Sequence, residues 1–390
     1  MAKKLCVLTS VHQSDDGRIF HRESVTLAEA GYDVTFVVPA DFELKKRHGV
    51  TVRGVKPVAR RLARPLVWLR LLRQALDIKP EVVHFHDPEL LLIGPLLKLS
   101  LGSGVKLIFD VHEYFVDSLA DKYWIPARLR PWTRAAANAL QGLLLRWVDG
   151  VICAVDGLVP LYKQTGRPIA VVRNLPLAKL FEGGIPHQAL DTTGFKLIYV
   201  GLILPKRGIN IVLEAMRLLH VGNEHSVHLY LVGRAVSTDY MTELAEFCEH
   251  NGLTDYVHWL GPVPHEELKH YLANADAGLL PGLNTLQYSN PGIATKLFEY
   301  LLCELPVISA DYPHRRRYIE EAQCGIMVPP EEPGAHAEAV RRLMQCPEET
   351  ASMGERGRAY VLASYTWESE QARLLDFYQI VLAPEPTQGT

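Results

Sequence analysis

Residues 290–300, Asn290-Pro291-Gly292-Ile293-Ala294-Thr295-Lys296-Leu297-Phe298-Glu299-Tyr300, suit an anionic nucleotide by type and spacing. A Pro/Gly turn feeds a helix. The first N–H groups of a helix have no intrahelical partner, so the amides of Gly292, Ile293, Ala294 and Thr295 are candidates for binding a diphosphate. Lys296 puts a positive charge in the first turn, where it is unfavourable unless an anion offsets it. Glu299, three residues on, falls on the same face and could accept two ribose hydroxyls. An ordinary surface Lys–Glu pair, worth about 0.2–0.5 kcal/mol, would use the same spacing.

Other polar residues gather where apolar runs end. After residues 5–9 come His12, Asp16, Gly17 and Arg18; after 82–85 come His86 and Asp87; after 107–111 come His112 and Glu113. Gly201 and Gly233 close two later runs, and Arg207-Gly208 opens the helix after the first of these. Ligands of open α/β sheets bind beyond the carboxyl ends of strands, so these are the expected contact points. The sequence has no GxxxxGK[ST], no GxGxxG after a strand, no GxSxG and no HExxH. This argues against P-loop, dinucleotide, α/β-hydrolase and zincin chemistry. It has no Asp-x-Asp either, so a metal held by such a pair is not expected. His84 and His86 alternate along one run and point the same way; paired cleft histidines are the expected reading, and half a metal site the alternative.

The elements that position these residues follow from the pattern. Short continuous apolar runs fit strands buried on both faces of a parallel sheet. They recur at 5–9, 34–38, 82–85, 107–111, 151–155 and 169–172, and again at 197–200, 227–232, 257–260, 277–280, 306–309 and 326–328. Helical periodicity lies between them, at 22–30, 67–76, 211–219, 240–250, 266–273 and 335–343, which gives an α/β architecture. The pattern restarts at Lys196 after a Pro/Gly-rich stretch, 174–195, expected to connect two doubly wound domains. The expected divisions are 1–175, 190–366 and a last helix at 367–383.

The 390 residues are 48% hydrophobic and 22% charged, which excludes a disordered chain. Six scattered cysteines, with no CxxC, are expected as free thiols of a reducing compartment. No run approaches the ~20 apolar residues of a membrane span, and the N-terminus has no signal-peptide core, so a cytoplasmic location is expected. The net charge of −3 hides an asymmetry: residues 1–185 carry 26 Lys and Arg against 18 Asp and Glu, or +8, and the remainder carries −11.

Lys296-Leu297-Phe298-Glu299-Tyr300 followed by Glu304-Leu305-Pro306-Val307-Ile308 resembles the donor-site helix and next strand of family 4 glycosyltransferases. Tyr199-Val200-Gly201, Lys206-Arg207-Gly208 and Leu213-Glu214-Ala215 are similar to that family too, as are Val83-His84-Phe85-His86-Asp87 and Asp110-Val111-His112-Glu113. The stretch 12–23, with Leu27-Ala28-Glu29-Ala30-Gly31-Tyr32-Asp33-Val34, resembles its bacterial polysaccharide-assembly branch. The resemblance implies a GT-B fold: two Rossmann-like domains of doubly wound parallel sheet, facing across a cleft, with the last helix, 367–383, crossing back to the first domain. It also implies sugar transfer from a nucleotide diphosphate donor with retained configuration, without a metal or other cofactor. Arg207, with Lys296, would meet the diphosphate, Glu299 the ribose, His112 the donor sugar, and Gly17 a close-approaching phosphate or acceptor. The family's E-x7-E pattern has Pro291 at its first position here, and Leu202 stands where many members have an arginine.

A UDP-sugar is the default donor, with GDP-mannose second, and the acceptor is a saccharide or a lipid-linked saccharide. Two alternatives stay open: a non-catalytic nucleotide-sugar-binding subunit and a nucleotide-sugar epimerase. His12, Asp16, Arg18, His86, Asp87 and Glu113 are the expected acceptor-side residues. Arg60, Arg61, Arg64, Arg70 and Arg73 surround Trp68 and several leucines, while 123–148 holds Arg128, Arg130, Arg134 and Arg146 with Trp124, Trp132, Trp147 and no acid. Such stretches suit an anionic membrane surface, or else a core face with solvated arginines. A peripheral contact with the inner face of the cell membrane is therefore expected of the first half alone, and no nucleic-acid partner.

Overall fold

The computed structural model describes residues 2–112, 114–120, 125–183, 190, 193–222, 226–283 and 295–384. The chain divides into two compact units, residues 1–174 with 369–390, and residues 175–368.

Among the described residues, the first unit has an eight-stranded sheet. Its strands are β1 (Lys4–Leu8), β2 (Asp33–Pro39), β3 (Leu44–Arg47), β4 (Val50–Val55), β5 (Val82–Phe85), β6 (Lys106–Val111), β7 (Gly150–Cys153) and β8 (Ile169–Val171). The order is β3-β4-β2-β1-β5-β6-β7-β8, parallel except for the β3–β4 hairpin. That hairpin has no counterpart among the expected strands. The β3 sequence Leu44-Lys45-Lys46-Arg47 is an exposed edge, and edge strands are commonly charged. The helices of this unit are α1 (Val25–Glu29), α2 (Arg64–Ile78), α3 (Gly94–Leu101), α4 (Phe115–Ala120), α5 (Arg130–Leu144) and α6 (Val159–Tyr162). Cys6 and Leu8 of β1 pack with Val67, Leu71 and Ala75 of α2 and with Leu97 of α3.

The second unit has a six-stranded parallel sheet among the described residues, ordered β11-β10-β9-β12-β13-β14. The strands are β9 (Phe195–Val200), β10 (Val227–Val232), β11 (Val257–Gly261), β12 (Ala277–Leu280), β13 (Val307–Ala310) and β14 (Gly325–Val328). The helices are α7 (Ile209–Val221), α8 (Thr238–His250), α9 (Leu268–Leu272), α10 (Thr295–Leu302), α11 (Pro313–Ala322), α12 (Pro333–Gln345) and α13 (Pro347–Ser364). The period of two divides the strands between two cores. Leu197, Tyr199, Leu229 and Leu231 face α7 and α12, while Ile198, Tyr230 and Val232 face α9 and α10.

One connection differs from the sequence expectation, and the last helix does not. The stretch after residue 174, expected as the connection between two domains, belongs to the second unit, because Leu175, Phe181 and Leu190 are buried in that unit's core. Its Pro and Gly residues disguise apolar anchors placed without helical or strand periodicity. The last helix, α14 (Trp367–Leu382), packs mainly in the first unit. Its Phe377 and Val381 lie where a Cβ on Gly150 of β7 would overlap them. All six cysteines are free, and five are buried or partly buried.

Candidate active site

Each sheet runs outward one way from its first strand and then outward the other way. That places a topological switch point between β9 and β12 in the second unit, and between β1 and β5 in the first. Crevices at the carboxyl ends of such strand pairs are where α/β sheets take ligands.

In the second unit, Gly201 follows β9 with φ 140°, and a Cβ there would overlap the Lys296 amine. Gly233 follows β10 with φ 145°, and a Cβ there would overlap the Gly201 carbonyl oxygen. Gly233 is thus imposed by the close approach of backbone, and Gly201 by its positive φ. Lys296 lies in the first turn of α10 with its Nζ 4.7 Å from the Tyr199 ring centre. Burial first, then the neighbouring charges of Arg207 and Arg315, push its amine down to about 7, against the opposing pull of Glu299. Arg207 ends the turn Pro205–Arg207, and Gly208, at φ 75°, lies against the Gly282 backbone. Arg315, buried on α11, donates to the Leu280 carbonyl at the end of β12. Three like charges thus share one strand-end crevice, an arrangement that an anion stabilises. Glu299 is buried, and its Oε1 is 2.9 Å from His265 Nε2. Thr295 begins α10. Gly292, Ile293 and Ala294, with Pro291, lie outside the described residues.

In the first unit, the loop after β1 leads into a π-helical turn, Ile19–Ser24. The Glu23 amide donates to the Arg18 carbonyl, five residues back. This wide turn brings Glu23 Oε1 to 2.8 Å from Arg18 Nε. Arg18 Nη2 donates to both oxygens of Asp110 at 3.1 and 2.8 Å, and Nη1 donates to the Val172 carbonyl. Arg18 is only 5% exposed, so its guanidinium holds the interior together and does not face an acceptor, as the sequence reading had it. Asp16 is half-buried, and its Oδ1 accepts from the Arg18 and Ile19 amides and so caps this turn. Gly17 lies beside the Arg22 guanidinium, with nothing in its φ that requires glycine.

His86 and His112 remain at the strand ends and line a cavity of 340 Å³ with His12, Arg64, Asp87 and Phe115. Asp87 accepts from Thr9 Oγ1 at 2.7 Å and from the Ser10 amide at 2.6 Å. Burial opposes ionisation of Asp87, but hydrogen bonds from His12, Ser10 and Thr9 hold its carboxyl below the usual range. His86 is buried, and its Nδ1 lies 3.2 Å from His112 Nε2. Burial pushes the His112 imidazole down to about 4, so it is neutral near pH 7. Glu113 lies outside the described residues.

Glu23, His84, His86 and Asp110 form a buried group whose potential ligand atoms all lie within 4.8 Å of one another. His84 Nδ1 is 2.8 Å from the Tyr378 hydroxyl of α14. Burial, with the Asp110 charge adding to it, pushes the Glu23 carboxyl well above the carboxylate range, while the Arg18 guanidinium holds Asp110 well below it. Sequence reasoning missed Glu23, Asp110, His265 and Arg315 as site residues. The first two sit inside motifs that it used only for resemblance. The other two sit in His265-Glu266-Glu267 and His314-Arg315-Arg316-Arg317, which resemble solvated helix starts.

Residues 185–360 match the family described as "Glycosyl transferases group 1", and residues 17–178 the one described as "Glycosyl transferase 4-like domain". The chain belongs to the family 4 glycosyltransferases. It is 28% identical over 159 residues to the amylovoran biosynthesis glycosyltransferase AmsK of Erwinia amylovora, covering 41% of this chain and 37% of that protein. It is 24% identical to the D-inositol 3-phosphate glycosyltransferase of Frankia alni, covering 58% of this chain and 56% of the relative. The chain thus spans less than two thirds of the length of these relatives. Its fold is GT-B. Sucrose-phosphate synthase from Thermosynechococcus elongatus aligns with a TM-score of 0.75 at 17% identity, over 98% of this chain and 99% of the other. Anabaena HepE, solved with UDP-glucose, aligns with a TM-score of 0.73 at 14% identity, over 97% of this chain and 100% of the other.

Proposed function

We propose that this chain is a retaining hexosyltransferase that moves a sugar from a nucleotide diphosphate donor to a saccharide or lipid-linked acceptor, in the biosynthesis of a cell-surface polysaccharide or glycoconjugate. The observation that carries the reading is the cation cluster of Lys296, Arg207 and Arg315 at the β9–β12 switch point, with Glu299 fixed beside it by His265. In this reading the donor diphosphate lies on the three cations and Glu299 accepts the ribose hydroxyls. The acceptor hydroxyl is held in the cavity lined by His12, Asp87 and His112, with His86 buried behind His112. The bond from the anomeric carbon to the diphosphate breaks, the bond to the acceptor oxygen forms, and the acceptor proton ends on the departing diphosphate. Fixed cations meet the charge that grows on that group, so no metal is assigned a role.

A UDP-sugar is the first candidate donor, supported by the UDP-glucose bound to HepE. GDP-mannose is the second, supported by the similarity to a GDP-mannose-dependent mannosyltransferase of Mycobacterium tuberculosis. Work at the inner face of the cell membrane fits a lipid-linked acceptor. Among the described residues, no helix is long and apolar enough to cross a membrane, so such work would be peripheral. A thermal-shift panel of UDP-, GDP- and ADP-sugars tests donor binding. Proton NMR of the product with the stabilising donor then tests transfer and configuration. An inverted anomeric centre, or donor binding with no turnover on any saccharide or lipid acceptor, would overturn the reading.

A further inference from the structure

Helix α5 turns most of its apolar side chains to solvent. None of its fifteen residues is buried. A surface helix normally turns its apolar stripe to the core. Here Arg130, Thr133, Arg134, Ala137, Gln141 and Leu144 are the partly buried face, mostly polar, and Gln141 Nε2 donates to the Tyr162 hydroxyl at 2.9 Å. Apart from Ala137 and Leu144, the latter packed against the core, the apolar side chains point outward. Leu129, Trp132, Leu140, Leu143 and Trp147 are 47%, 76%, 49%, 54% and 38% exposed, and Ala136 is exposed with them. Their spacings of three and four residues make one stripe, continued at both ends by the turns Ala127–Leu129 and Leu145–Trp147. At 1.5 Å per residue the stripe runs about 27 Å. Exposed Arg128 and Arg146 flank it, and the sequence has no Asp or Glu from 123 to 148.

We propose that this face of α5 lies in the interface of an anionic phospholipid bilayer, with the leucines and Trp132 inserted and Arg128 and Arg146 on lipid phosphates. The charge pattern selects this occupant. A second copy packed on the same stripe would bring arginines together with no acid to meet them. A bilayer offers apolar depth and negative charge at once. The helix lies on the membrane and does not span it. On the body side of α5, an uncharged cavity of 520 Å³ is lined by Asn138, Gln141, Leu145, Leu161, Tyr162 and Phe115. Phe115 also lines the cavity that holds His112. A lipid-linked acceptor anchored beside α5 thus has its sugar end close to His112. This extends the proposed function toward a lipid-linked acceptor, but its test needs no transferase activity.

The test is co-sedimentation of the full chain with vesicles of phosphatidylcholine plus phosphatidylglycerol, and with phosphatidylcholine alone. The anionic vesicles should pellet the protein and the neutral ones should not. Trp132→Ser with Leu143→Ser should abolish binding without changing the far-UV spectrum. Arg128→Gln with Arg146→Gln should weaken it about thirtyfold at low salt and remove most of its salt sensitivity. Trp132→Phe should lose a blue-shifted emission component that wild type gains on vesicle binding. Equal binding to both vesicles, or to neither, overturns the proposal. So does a concentration-dependent dimer in sedimentation velocity, dissolved by the serine pair without lipid, which would assign the stripe to a second copy. Vesicle binding with no transfer to any acceptor would leave this inference standing and count against the proposed function alone.

Discussion

His86 and His112 lie with their rings 3° from parallel and their facing nitrogens, Nδ1 of His86 and Nε2 of His112, 3.2 Å apart. The other nitrogen of His112, Nδ1, is 3.4 Å from Asp110 Oδ1. Because burial keeps His112 neutral, it carries one proton, and the carboxylate draws that proton to Nδ1. Its Nε2 then accepts from His86. Both ring nitrogens are engaged by the protein, so His112 is oriented from within and meets its ligand with an edge or the ring face.

His86 is therefore expected to position His112 without touching substrate. In wild type, nitrogen-15 NMR should show the Nδ1–H tautomer at His112, and in His86→Leu a mixture of tautomers. With a water-soluble acceptor, His86→Leu should lower kcat about tenfold with little change in donor KM, and His112→Ala should lower it further, about a hundredfold. Unchanged kcat in both variants would remove the pair from the mechanism.

Lys296 gives a pH prediction. Its amine sits near 7 in the empty site and returns toward its ordinary 10.5 when a diphosphate arrives. Donor binding should take up a proton between those two values and almost none at pH 5.5, where the amine is already charged. Calorimetry at pH 8 in buffers of differing ionisation enthalpy should show uptake approaching one proton, lost in Lys296→Met. In the empty protein the unfolded state binds this proton more readily over the same window, so this group's contribution to stability rises with pH from about 7 to 10.5. Proton release on binding would contradict the placement of the diphosphate.

Arg207, Arg315 and Glu299 should separate by their kinetics. Arg207→Ala should mainly lower turnover, about a hundredfold or more, because charge on the leaving phosphate grows in the transition state. Glu299→Gln should raise the donor Kd about tenfold, because it loses charge-assisted bonds to hydroxyls present from the start. Arg315→Met should do both, since Arg315 also fixes the Leu280 carbonyl at the end of β12. Calorimetric Kd alongside kcat checks each, and wild-type values in all three would mean the diphosphate binds elsewhere.

The sequence discloses the strands better than the charges. Runs such as 82–85, 227–232 and 277–280 coincide with β5, β10 and β12, because a strand buried on both faces has no other way to be written. Strand β3 escapes because an exposed edge strand is commonly charged. At the site, Gly201, Gly233 and Lys296 are visible because a strand-end glycine and a first-turn lysine each break a local preference. Arg18 and Asp16 are visible too, but their direction is not. Whether a polar side chain after a strand turns to solvent or back into the unit depends on contacts such as Arg18 to Asp110, 92 residues apart. His265 and Arg315 carry no local anomaly, and only the fold brings them to Glu299 and Lys296.

The buried group Glu23, His84, His86 and Asp110 gives the last test, because its geometry fits two opposite chemistries. His84 Nε2 is 3.9 Å from Glu23 Oε2 and 3.7 Å from Asp110 Oδ2, and His86 Nε2 is 3.7 Å from Glu23 Oε2. These gaps are too long for hydrogen bonds and only slightly wider than the roughly 3.3–3.5 Å edges of a tetrahedral site with bonds near 2.0 Å. Charge decides between them. Arg18 already places a guanidinium on both carboxylates and offsets the Asp110 charge, and burial pushes the Glu23 carboxyl toward its neutral form. A divalent ion beside Arg18 would be repelled where water cannot screen it. Purified protein is thus expected to hold well under one zinc per chain by elemental analysis, and to keep its Tm and turnover after EDTA. Arg18→Met should instead cost about 3–5 kcal/mol of stability, the penalty for leaving Asp110 buried and unpaired, with Asp110→Asn in the same background restoring much of it. Stoichiometric zinc together with a fall in Tm on chelation would reverse the assignment and make Arg18 a neighbour of a metal centre.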